Sequence, residues 1–84
     1  MATLYKTDGT SEQVTPANGQ DFRLEELQGY VGGLIDIVRL EDGDLLVVND
    51  EGLIHGLPLN EQASWIAGSV LTGDVVRCAD TEVK

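Results

Sequence analysis

The spacing of apolar and polar positions changes several times along the chain, and each change marks an element. Residues 2–5 and 12–15 are polar and flank a Lys6–Ser11 connection in which Asp8-Gly9 suits a two-residue reversal with positive φ. This reads as a hairpin at the edge of a sheet. Pro16-Ala17-Asn18-Gly19 ends it. From 22 to 30, helical spacing takes over: Leu24, Leu27 and Val31 share one side, while Arg23, Glu25, Glu26 and Gln28 face water. Asp21 is the expected cap of this helix and Gly32-Gly33 its stop.

Branched residues then dominate. Leu34-Ile35-Asp36-Ile37-Val38-Arg39-Leu40 and Leu45-Leu46-Val47-Val48-Asn49 flank Glu41-Asp42-Gly43-Asp44, a strong hairpin signal. A two-residue turn at Asp42-Gly43 would pair Leu40 with Leu45, Val38 with Val47 and Asp36 with Asn49 on one face; a slip of one residue would exchange the faces. Asp50-Glu51-Gly52 turns the chain into a short strand at 53–55, and Gly56-Leu57-Pro58 turns it again. Asn60 caps a short helix from 61 to 67 that stops at Gly68, with Ala63, Ile66 and Ala67 expected inside. Residues 69–78 supply one bent strand or a last hairpin around Gly73-Asp74, and 80–84 are expected to fray. The pattern predicts a single α+β domain: a small two-layer unit, mainly antiparallel β-sheet, with two short helices packed on one face. Its parts are an N-terminal hairpin and linker (1–20), a body (21–79) and a tail (80–84).

Length and charge narrow the functional classes. At 84 residues with 42% hydrophobic content the core is thin, so self-association would help and a homo-oligomer is expected. The net charge is −10, from 15 acids against 5 bases, and the acids are spread through both halves. Such a surface argues against nucleic acid or anionic membrane as direct partners, because both require lysine and arginine, and favours a cationic partner surface. Cys78 is the only cysteine, which excludes an internal disulfide, and the first residues do not resemble a secretory signal, so a cytoplasmic home is expected. The longest apolar runs are far below the roughly 20 residues of a spanning helix.

Three ordered phrases carry a resemblance: Val31-Gly32-Gly33-Leu34-Ile35-Asp36-Ile37-Val38, then Val47-Val48-Asn49-Asp50-Glu51-Gly52, then Gly56-Leu57-Pro58-Leu59-Asn60. They resemble a family of small bacterial and bacteriophage proteins catalogued as a domain of unknown function, whose recurring phrases have the form VGGYIEVV, VVNEEG and GLPxN. The likeness spans roughly residues 22–76. This chain departs from the pattern at Leu34, where an aromatic residue is common, at Asp36 and Asp50, where Glu is favoured, and at His55, where Lys is frequent. The resemblance implies no activity; it implies a phage or mobile-element setting, in which small non-enzymatic proteins often counter host defence.

The 49–60 stretch concentrates special backbone residues beside the only histidine. Asn49, Asp50, Glu51 and His55 could surround a small ligand, with the amides near Gly52 and Gly56 open to close approach; alternatively Asn49 and Gly52 shape a tight turn and His55 is simply solvated. Asp36, between Ile35 and Ile37, is either a structural partner of Asn49 or a ligand contact. Arg39, like Arg23 and Arg77, either meets a phosphate or pairs with neighbouring acids. Trp65 and Tyr30 are the candidate interface residues, with core packing as the alternative. Asp50, Glu51 and His55 lack a recognised metal spacing, no nucleophile stands beside a base, and Cys78 reads as a buried inert thiol, so neither metal, cofactor nor enzyme is expected.

These readings point to a non-enzymatic accessory protein that sequesters a small nucleotide-derived signalling molecule at a subunit junction. Its expected ligand-binding residues are Asp36, Arg39, Asn49, Glu51, Gly52, His55, Gly56 and Asn60. The alternatives are an acidic protein–protein interaction module or nucleic-acid mimic that inhibits a basic host enzyme, and a structural or assembly module.

Overall fold

Five antiparallel strands and two short helices make up the computed structural model, which describes residues 2–52 and 54–83. In chain order the elements are β1 (Ala2–Tyr5), β2 (Ser11–Val14), α1 (Leu24–Val31), β3 (Ile35–Arg39), β4 (Asp44–Asn49), α2 (Glu61–Ala67) and β5 (Val75–Ala79). The sheet order is β2-β1-β5-β4-β3, so the last strand inserts between the two hairpins and joins them. The α+β class and the antiparallel sheet agree with the sequence pattern. Among the described residues no helix is long and apolar enough to cross a membrane.

Both Asp-Gly hairpins close one residue wider than a two-residue turn. Lys6 N–H donates to Thr10 O (2.9 Å) and Leu40 N–H to Asp44 O (2.9 Å), leaving three-residue loops in which Gly9 (φ +91°) and Gly43 (φ +92°) take the left-handed position. Asp8 Oδ1 accepts from Thr10 N–H, and Asp42 Oδ1 from Asp44 N–H, both at 2.9 Å. The wider loop shifts the central register: Arg39 lies opposite Leu45, Ile37 opposite Val47 and Ile35 opposite Asn49. Asp36 faces Val48, not Asn49. The expected Asp36–Asn49 pair does not form, because one extra loop residue moves alternate side chains to the other face.

Alternation along β4, whose residues 45–48 are all apolar, puts buried side chains on both sides of the sheet. Leu45 and Val47 of β4 join Ala2, Leu4, Val76, Cys78 and Phe22 in a cluster closed by Leu27 and Val31 of α1. Leu46 and Val48 point the other way and join Val75 in a smaller cluster with Ala63, Ile66 and Ala67 of α2. The helices therefore cover opposite faces instead of sharing one, and β4, with Leu45 through Val48 all buried, is the common wall. Each such buried aliphatic or aromatic side chain contributes about 1.5–3 kcal/mol.

α1 starts two residues later than the sequence suggests. Arg23 is its N-cap, with its N–H donated to Glu26 Oε1 (3.2 Å), while Asp21 binds Asn18 Nδ2 (2.8 Å). Phe22 is withdrawn from the helix to bridge Val83, its N–H bound by Glu82 O. Where a fraying tail is expected, Asp80–Glu82 forms a 3-10 turn and Val83 packs against the larger cluster. Leu24 stays 52% exposed, so the buried stripe of α1 is narrower than its spacing implies. Of the expected 53–55 strand, Ile54 and His55 lie in turns and Leu53 lies outside the described residues. The 69–72 segment makes only an isolated bridge, Leu59 to Thr72, before β5.

Candidate functional site

Asn49 ends β4 and is buried beneath the turn that follows. Its Nδ2 donates to Val31 O (3.0 Å), satisfying a carbonyl at the C-terminus of α1, and its Oδ1 accepts Glu51 N–H (2.8 Å). Neighbouring amides are also engaged within the protein: Asp50 N–H with Leu34 O (2.8 Å), Gly52 with Asn49 O (3.3 Å), His55 with Glu51 O (2.9 Å), and Leu57 with Gly52 O (3.0 Å). Most of the donors on which a ligand loop would rely are thus used internally. Gly52 is required by proximity instead: a Cβ there would collide with Thr72 Oγ1, so its bareness lets the 50–57 loop lie against the 70–73 segment.

Asn60 is fully buried and uses its whole side chain. Oδ1 accepts Ala63 N–H (3.1 Å), capping α2 as the sequence suggests, while Nδ2 donates to Tyr5 O and Gly73 O, both at 2.9 Å. The same residue's N–H reaches Leu71 O (2.9 Å). One asparagine thereby holds β1, the start of α2 and the turn into β5 together, and no polar atom of its side chain is left for a visitor.

The residues singled out by the sequence do not converge. Asn49, Glu51 and Gly52 line one hollow of about 290 Å³ beside Thr72, with Ile54 (81% exposed) and Val70 (65% exposed) also on its wall. Its charged lining residues are Asp50 and Glu51, a poor setting for a phosphate. Arg39 is at the opposite end of the hairpin, paired with Asp80 at 3.1 Å, and the exposed Asp36 turns its carboxylate onto its neighbour's amide, Ile37 N–H (2.8 Å). His55 and Gly56 are exposed at the loop tip and do not line the hollow. Asn60 faces away from it into the core. The apolar members Ile54 and Val70 were not singled out by the sequence, where Ile54 reads with Leu53 as part of a short strand and Val70 with Leu71 as part of the bent 69–78 segment.

The two aromatic candidates separate. Tyr30 packs against the larger cluster and meets Phe22 edge-on, ring centroids 6.3 Å apart, so it is a flank of the core. Trp65 is 87% exposed on α2. It stands between two hollows, one of about 430 Å³ walled by Tyr5 and Ile66 with Glu61 at its rim, the other of about 500 Å³ reaching Leu40, Glu41 and Ala67. Tyr5 meets this surface only because the sheet brings β1 beside β5, which no local pattern reveals.

Among the described residues no His, Cys, Asp and Glu side chains group as metal ligands. Cys78 is buried, and burial, with Glu82 and Asp44 adding to it, pushes its thiol from 9.0 up to about 11, so it is protonated and unreactive at neutral pH. A further hollow of about 520 Å³, between the 15–20 linker and the 79–82 segment, contains none of the candidate residues.

Residues 1–83 match the family model described as Domain of unknown function (DUF3846), and the chain belongs to that family. No curated protein and no solved structure matches it.

Proposed function

We propose that this member of the family is a non-enzymatic accessory protein that acts by protein–protein contact, offering an acidic surface to a basic region of its partner. The phage or mobile-element setting implied by its sequence phrases is part of the same proposal, with inhibition of a host protein as the outcome of binding. The observation that carries it is how the charges are disposed. Lys6 pairs with Glu12 (3.7 Å), Arg39 with Asp80 (3.1 Å), and Arg77 with both Asp42 and Asp44. The few cations are largely neutralised locally, and a surplus of outward carboxylates remains from the net −10. Such a field speeds encounter with a basic surface and repels anionic ones.

Sequestration of a nucleotide-derived signal draws less support from this geometry. It needs open amides and a cation beside the 49–60 stretch, where the hollow has engaged amides and two carboxylates. Affinity capture from a bacterial lysate tests the choice. At about 0.1 M salt the protein should retain a basic partner that is lost near 1 M, where the screening length falls from about 10 Å to about 3 Å. Retention undiminished at high salt would contradict charge-led docking. A rise in melting temperature with cyclic dinucleotides or ADP-ribose derivatives would restore the sequestration reading.

A further inference from the structure

We infer that Trp65 is the anchor of a docking surface for a basic polypeptide segment, with an arginine or lysine of the partner lying over the indole and an adjacent apolar side chain entering the hollow beside Tyr5 and Ile66. The inference rests on the protein–protein reading above and assigns it a place on the molecule. A tryptophan 87% exposed is unusual on a domain whose other large aromatics are partly or fully covered, and it adds nothing to the core. Its position between two hollows leaves its ring accessible, as an interface anchor requires.

Charge selects the occupant. Glu61 rims the Tyr5 hollow and Glu41 the one on the other side, and among the described residues neither is in an ion pair. The two arginines of the second hollow are occupied, Arg77 by Asp42 and Asp44 and Arg39 by Asp80. A cation over the indole would therefore gain the ring's negative face together with a carboxylate on each side. A second copy of this chain fits worse: it would bring another net charge of −10 to an acidic rim. The expected homo-oligomer thus has no evident home on this face.

Trp65 is the only tryptophan, so its fluorescence reports on the site directly. The probe is a synthetic peptide of lysines and arginines around one central leucine, titrated at low salt and followed by both fluorescence and calorimetry. The expected result is a saturable change in Trp65 emission, with affinity reduced tenfold or more by Trp65→Ala and severalfold by Glu61→Gln or Glu41→Gln, but not by the remote Glu25→Gln. Trp65→Ala should keep its melting temperature, which separates a lost contact from a lost fold. Calorimetric binding undiminished in Trp65→Ala would overturn the inference while leaving the acidic-surface proposal standing. Absence of any binding by calorimetry would overturn both. Light scattering that shows a dimer dissociated by Trp65→Ala would identify a second copy as the occupant and likewise overturn it.

Discussion

Asn60 and Trp65 are five positions apart, and the protein uses them in opposite ways. The asparagine has no exposed surface and binds three separate segments, whereas the tryptophan, the largest side chain in the molecule, is 87% exposed. The same contrast holds for their surroundings: the 49–60 stretch engages Asn49, Asn60 and several backbone amides within the protein, while α2 contributes Ala63 to the core and leaves its most costly apolar surface in water. The contrast teaches that a stretch dense in glycine and asparagine need not be a binding loop. Here those residues let two irregular segments and a helix end approach one another closely enough to share hydrogen bonds.

Substitutions that unpair the inward region should break this contrast most visibly. Asn60→Ala leaves Tyr5 O, Gly73 O and Ala63 N–H without their partner in a buried site, and should cost about 3 kcal/mol, lowering the melting temperature by roughly 10–20 °C. If calorimetry found Asn60→Ala no less stable than the parent, the architectural role would be wrong. The core thiol sets a pH limit on the same interior. Its pKa is higher in the folded state than its ordinary 9.0, so stability is complete below that value and declines as pH rises toward about 11, by up to about 3 kcal/mol at 1.4 kcal/mol per unit. Denaturant titrations across that range should show a smaller alkaline loss in Cys78→Val than in the parent. Gly52→Ala comes next, at about 2 kcal/mol, since the added methyl meets Thr72; the double variant with Thr72→Ala should recover part of the loss. Trp65→Ala is the smallest, within about 0.5 kcal/mol of the parent in urea unfolding, because little of the side chain is buried.

Local chemistry was legible in the chain and non-local closure was not. Asp8-Gly9 and Asp42-Gly43 marked both hairpins, Gly32 and Gly68 marked both helix ends, and Asn60 marked the start of α2. The register was missed because an Asp-Gly pair serves a two-residue turn and the last two positions of a three-residue loop equally well, and only the Asp side chain's bond to the residue after glycine separates them. From that single residue followed the misplacement of Asp36 opposite Asn49; the assignment of both helices to one face overlooked that residues 45–48 are apolar at every position, so that both sides of the sheet need cover. The tail was missed for a different reason. Val83 bridges Phe22, a contact between distant parts of the chain for which neither spacing nor propensity carries a sign. At the candidate site, Asn49 and Gly52 were recognised as unusual, but a residue that must satisfy its own backbone and one that must meet a ligand have the same composition. Trp65 was visible as a candidate, and its companion Tyr5 was hidden by the sheet topology.

Amide chemical-shift mapping during titration with the basic, leucine-centred peptide compares the two regions in one experiment. The account predicts that shifts concentrate on Glu61–Ala67 and Tyr5, with residues 50–56 near their free positions. Shifts concentrated on 50–56, with α2 undisturbed, would contradict it.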